Sequence, residues 1–336
     1  MPNIVHRANS TPPTLYVLNE QGGNAVGWVS AYSDAGATFA RQFGNVGNGE
    51  VKDQNPNMAA NSSGNLYLYT AKHLGQVLVY KKYGASLQQT LQFQKGDFSK
   101  LTVGADGNLF AMVTNFKKRK TSGPLQEFTA NRNGTLQAQP FRRVAVPYYI
   151  ATDAMGDVGA AGGLNGFFAW TKKSKKPFWK LNAANTLYTS IAFDRSNNLY
   201  VVQQVVNSSA VAIDVYARGA TTPTYSITNN GYVPGQLALD AAGNLYVGGY
   251  YENSGTIKSN ISIYAPGASI PNTVLQAPSG TEFDYMAVSS AGYLAVIENV
   301  NSTFSGPVVV YDPGATVPST TISTLLQDPR QVAFGN

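Results

Sequence analysis

Residues 237–268 read LALDAAGNLYVGGYYENSGTIKSNISIYAPGA, and the same phrase returns, worn to varying degrees, along the whole chain. An apolar run carrying a small residue, Ala238, leads to Asp240. A short Gly-containing turn and the run Leu245-Tyr246-Val247 follow, and later an aromatic, Tyr264, precedes a second Gly turn. The middle landmark recurs as NSSGNLYLY (61–69), GADGNLFAM (104–112), DAMGDVGAA (153–161), DRSNNLYVV (194–202) and SSAGYLAVI (289–297). The closing aromatic recurs as Tyr32, Tyr80, Phe128, Trp170, Tyr216, Tyr264 and Tyr311, at steps of 48, 48, 42, 46, 48 and 47 residues. A fixed period of roughly 20–50 residues marks an array in which each repeat is one supersecondary unit.

The unit reads as all-β. Runs rich in Val, Ile and Tyr flank Gly, Asn and Asp clusters, and no segment sustains a 3.6-residue apolar period. Asp, Asn or Ser opens the first turn, where it accepts a backbone N–H, and Gly or Asn supplies the left-handed residue. Asp153, Asp194 and Asp240 are assigned to this capping role. A variable loop, the aromatic third strand, a turn and a fourth strand such as LQQTLQF (87–93), TYSIT (224–228) or TTISTLL (320–326) complete the unit. Four strands in each of seven units predict a seven-bladed β-propeller. The small first-strand residues Ala59, Ala151, Ala192, Ala238 and Ala287, with Thr102 in the third unit, fit the crowding of inner strands near the axis. The third-strand aromatic fits the gap between splayed blades. The chain starts with a second strand, LYVLN (15–19), and ends with a first strand, RQVAFGN (330–336), so both termini are expected to build blade 1 and hide two open edges. Residues 1–14 are read as a flexible tail and 15–336 as one propeller domain. Unit four, with DVGAAGG (157–163) in place of a Leu-Tyr strand, reads as an eroded repeat.

Composition narrows the chemistry. The 336 residues include no cysteine and only two histidines, His6 and His73, which removes disulfides, thiolate metal sites and multi-histidine centres. Charged residues make up 12%, about half the usual share, and polar uncharged residues replace them. That balance suits an extracellular or cell-surface protein, although MPNIVHRANSTPPT has no apolar stretch of signal-peptide type. No apolar run is long enough to span a membrane as a helix. The net charge of +6 comes from two runs, Lys117–Lys120 and Lys172–Lys176. Removing their eight of the 24 basic residues leaves −2. One run is assigned to a second-to-third-strand loop and the other to a third-to-fourth-strand turn, on opposite faces. No continuous nucleic-acid footprint is therefore expected, and both runs are read as solvated loops. The chain has no G-x-S-x-G elbow, P-loop, dinucleotide fingerprint or H-E-x-x-H.

Two constellations remain. GGYYENSG (248–255) is read as a loop that sets Tyr250 and Tyr251 beside Glu252 and Asn253, a chemistry suited to stacking on a sugar ring and hydrogen-bonding its hydroxyls. Asn19 and Gln203, with Asn299, occupy comparable second-strand ends and are added as candidate ligand contacts. Glu20 and Glu298, ending adjacent second strands across the closure, are a weak candidate pair for calcium or another divalent ion, with Glu282 and Asp284 in the loop entering blade 7.

LALDAAGNLYV with ISIYAPGA, and LYVLN with VSAYS, resemble bacterial NHL and YVTN-type propeller repeats over about residues 15–336. The resemblance implies the propeller fold and a superfamily of binding modules and enzymes, including gluconolactonase-like and virginiamycin B lyase-like proteins. The histidines such lyases and lactonases use have no matching position here, so no catalytic residue carries over. The expected function is a non-catalytic binding or scaffold propeller with a carbohydrate or protein ligand. The alternative is a lactonase-like hydrolase or lyase with a cation at the channel mouth.

Overall fold

The computed structural model describes residues 12–21, 26–44, 58–70, 76–84, 86–92, 97–114, 124–130, 135–139, 142–143, 149–172, 174–208, 211–228, 231–253, 256–300 and 306–335. Seven antiparallel sheets follow one another as blades. Blade 1 pairs the strands Pro329–Gly335, Thr14–Gln21, Val26–Ser33 and Thr38–Phe43 in that order. Its innermost strand is therefore the C-terminal one, laid antiparallel along Thr14–Gln21. Both termini close the ring, as the sequence predicts. Blades 2 to 7 each place four strands in sequence order, and blade 3 adds the two-residue strand Arg142–Arg143 beside its third strand.

The repeat is visible as one register. In every blade the landmark aromatic on the third strand sits opposite an apolar residue at the start of the second strand, its first residue in six blades and its second in blade 1. The pairs are Leu15 with Tyr32, Leu66 with Tyr80, Leu109 with Phe128, Val158 with Trp170, Leu199 with Tyr216, Leu245 with Tyr264 and Leu294 with Tyr311. All seven aromatics are buried. The apolar side chains gather into seven clusters, one at each blade-to-blade interface, including blade 7 against blade 1. Alternation along each strand explains this, because side chains two apart face one neighbour and those between face the other.

The small first-strand residue also has a cross-strand role. In five blades it lies opposite a large second-strand residue: Ala333 faces Tyr16, Ala59 faces Tyr67, Thr102 faces Phe110, Ala192 faces Tyr200 and Ala238 faces Tyr246; in blades 4 and 7 Ala151 faces Gly159 and Ala287 faces Ala295. A ring on one strand requires a small partner across the ladder. The first turns behave as predicted. Backbone amides donate to Asp153 Oδ1, Asp194 Oδ1 and Asp240 Oδ1, while Gly156, Asn197 and Gly243 take left-handed φ of 79°, 65° and 86°.

Blade 4 is specialised where an eroded repeat was expected. A Cβ on Gly159 would meet rings of Phe167 and of Phe193 from blade 5 at 2.8 Å. Blade 5 thus fills the space that blade 4's own side chain leaves. Gly163 and Tyr188 then exchange backbone hydrogen bonds of 3.0 and 3.1 Å between the two blades.

Candidate functional site

Antiparallel order puts the first-to-second and third-to-fourth turns on one face of the ring. The second-to-third and fourth-to-first connections lie on the other. The turn face is braced by ion pairs that cross blades. Lys172 Nζ lies 2.8 Å from Asp106 Oδ2, and the Arg218 guanidinium pairs with Asp157 while stacking 4.5 Å from the Phe178 ring centroid. Lys172 stays exposed, as a solvated loop predicts, but it is paired, and the contact with Asp106 raises its pKa. The run Lys117–Lys120 lies outside the described residues.

On the opposite face, blade 6 stands out. Its second and third strands, Leu245–Asn253 and Thr256–Tyr264, stay paired as far as Asn253 with Thr256. The first strand stops pairing at Val233 with Tyr250, and the fourth at Asn260 with Gln276. The segment read as a loop is thus a two-stranded ribbon that outruns its own sheet. Tyr250 and Tyr251 sit at its root, 50% and 42% exposed, on opposite faces of the strand. The Tyr251 ring packs edge-on against Tyr232 at 6.1 Å. Glu252 and Asn253 continue the strand opposite Ile257 and Thr256.

Below Tyr250, between blades 6 and 7, lies a cavity of about 90 Å³. Gly235, Gln236, Gly248, Gly249, Tyr250, Ile261, Phe283, Asp284, Tyr285, Met286 and Val296 line it. Glu282 and Asp284 belong to blade 7's first strand, Thr281–Val288, and not to a loop before it. That strand bulges between Phe283 and Tyr285, which leaves Asp284 as the extra residue. Burial raises the Asp284 pKa, against the pull of Arg330. Glu298 is only 8% exposed, and its carboxylate has no hydrogen bond or ion pair among the described residues. Desolvation raises its pKa.

The two glutamates proposed as cation ligands are not brought together. Glu298 shares the strand face of Leu294 and Val296, which pack toward blade 6. Glu20 shares the face of Tyr16 and Leu18, which pack toward blade 2. Glu20 Oε2 instead lies 2.8 Å from Arg330 Nε. Among the described residues no three acidic or histidine side chains converge on one point. Asn19 is fully buried. Its Nδ2 donates to Val17 O and Ser30 Oγ, and its Oδ1 accepts from Gln327 N, so it ties the last fourth-to-first connection to blade 1. Gln203 Nε2 donates to the Tyr216 hydroxyl at 2.6 Å.

The structure also shows a device absent from the sequence reading. Gln331 and Gln236, at the same place in their first strands, each clamp the next blade. Gln331 accepts from Met58 N at 2.8 Å and donates to Met58 O at 2.9 Å. Gln236 accepts from Met286 N at 3.0 Å and donates to Met286 O at 2.7 Å. The available signal was the shared Gln two residues before Ala333 and Ala238. Nearer the axis, Lys100 Nζ lies 4.8 Å from the Tyr149 ring centroid, and burial lowers its pKa. Tyr285, from blade 7, is pushed up to about 12, chiefly by burial and then by Tyr149 and Asp284.

No protein-family model matches the chain, and no curated protein matches its sequence. In structure it is similar to the β-propeller domain of Cps50 (Swd1) from Myceliophteria thermophila, known from a crystal structure. The TM-score is 0.55 at 13% identity, over 80% of this chain and 86% of that one. Likeness at that identity shows a shared fold: this chain is a seven-bladed, all-β propeller of four-stranded antiparallel blades.

Proposed function

We propose that this chain is a non-catalytic binding propeller of the NHL/YVTN type, working outside the cell or at its surface. Its ligand, a carbohydrate, docks on the loop-rich face at blades 6 and 7. The observation that carries this reading is the paired-strand ribbon that holds Tyr250 half-exposed at the rim of an open cavity, with Tyr251 half-exposed on the opposite face of the strand. Aromatic rings held on strands offer flat apolar faces at low entropic cost, and the polar groups beside them can meet hydroxyls. The location draws on the low charge content of 12%; the kinship draws on the repeat phrases alone. Converting both Tyr250 and Tyr251 to Ala tests the reading on an oligosaccharide array. Glycan binding should be lost with only a small fall in melting temperature, since both rings are already about half exposed. Retained glycan binding, or binding only to proteins, would reject it.

A further inference from the structure

Seven repeats let the chain serve as its own reference. Two residues beyond the second-strand residue that faces the small first-strand residue, the side chain points toward the following blade. That position is Leu18 in blade 1, Tyr69 in blade 2, Met112 in blade 3, Ala161 in blade 4, Val202 in blade 5 and Ile297 in blade 7. All six are buried. In blade 6 it is Gly248, and the cavity of about 90 Å³ lies there. Gly248 does not have the positive φ that would demand glycine, and a Cβ built on it would make only ordinary contacts, 3.7 Å to Gln236 and 3.8 Å to Met286. Neither backbone conformation nor crowding accounts for the glycine. Its effect is to leave empty a space that the other interfaces fill.

The walls of that space are of two kinds. Ile261, Met286 and Val296 supply an apolar floor, and Tyr250 supplies an aromatic rim. The other side is polar. Gly235 and Asp284 are the extra residues of bulges in facing first strands, without a partner in either ladder, and both line the cavity. A bulged residue leaves its N–H and C=O out of the ladder. The space is smaller than the roughly 150 Å³ cavity that admits benzene. It suits a group with one methyl, one N–H and one C=O.

We propose that the slot beside Gly248 is an acetamido subsite, seating the N-acetyl group of an N-acetylated sugar whose ring lies on Tyr250. This rests on the carbohydrate reading given above. The methyl packs on Met286 and Val296, and the amide N–H and carbonyl meet the unladdered backbone of the bulges at Gly235 and Asp284.

The test compares chitotriose with cellotriose by calorimetric titration. The two trisaccharides share their linkage and differ in carrying an acetamido or a hydroxyl group on each ring. Chitotriose should bind the full chain about tenfold tighter or more, the order expected from one buried methyl and one added hydrogen bond. Gly248→Val, which restores the residue of blade 5, should level the two sugars without lowering the melting temperature. Gly248→Ala, a smaller filling, should reduce the preference part of the way. Equal binding of both sugars to the wild type, or an undiminished preference in Gly248→Val, would overturn the subsite. If cellotriose binds through Tyr250 without any acetamido preference, the carbohydrate reading stands and the subsite falls. If neither sugar binds, both fall.

Discussion

Gln331→Met should loosen the closure of the ring. Methionine keeps the length and volume of the side chain and removes its donor and acceptor together. The change deletes the bonds of 2.8 and 2.9 Å to Met58, and Gln331 is buried, so water does not readily replace them. Leaving a buried backbone group without its partner costs about 1–2 kcal/mol, in the lower part of the usual range, and Met58 loses the partner of two such groups. The expected loss is roughly 2–4 kcal/mol. At about 2 °C per kcal/mol for a chain of this size, that is a fall of about 4–8 °C in melting temperature. Gln331 lies on the strand that joins the C-terminus to blade 1, so the defect should be local before it is global. Hydrogen exchange at the Met58 amide should accelerate in Gln331→Met under conditions where the amide of Val201, in blade 5, is unaffected. A melting temperature within 1 °C of wild type, with unchanged protection at Met58, would refute the clamp; that threshold of about 1 °C corresponds to roughly half a kcal/mol.

Two further outcomes follow from buried ionisable groups. Tyr16, fully buried between blades 1 and 2, and Tyr311 are both pushed up to about 12, chiefly by burial. A raised folded pKa means the unfolded chain releases the proton first, so this stability is complete below pH 10 and lost as the pH climbs toward 12. Alkaline titration should therefore show tyrosinate absorbance and loss of β-structure rising together in that window; tyrosines ionising near pH 10 with the fold intact would contradict it. Glu298→Gln removes a buried carboxylate whose pKa burial raises. The native state resists ionising it, so stability falls as the pH rises through the folded value. The variant should melt higher than wild type at neutral pH and no higher in acid, and a lower neutral melting temperature would reveal a stabilising partner for the charge.

The blades were legible because their cues are local. A Leu (Val158 in blade 4) on the second strand and an aromatic on the third are joined by one hairpin, so their pairing leaves a similar mark seven times, from Leu15 and Tyr32 to Leu294 and Tyr311. Turn caps such as Asp240 and Gly243 are encoded within a few residues, and the split of blade 1 follows from which phrase each terminus lacks. The site was legible only in part. Tyr250 and Tyr251 were singled out by type, yet their segment was read as a loop, because strand pairing to Asn253 depends on Thr256–Ser259 accepting it. Glu20 and Glu298 end adjacent blades, but the period of two along a strand turns them toward different neighbours.

The sequence by itself determined the number of blades, the strand order and the closure by both ends, since each is a property of a repeat compared with its siblings. The tertiary structure decided what happens between blades. Gln236 reaching Met286, Phe193 occupying the space above Gly159, Lys172 meeting Asp106 and the slot beside Gly248 all join residues on separate sheets. No phrase contains both partners of these contacts, and they exist only once twist and stacking have set one blade against the next.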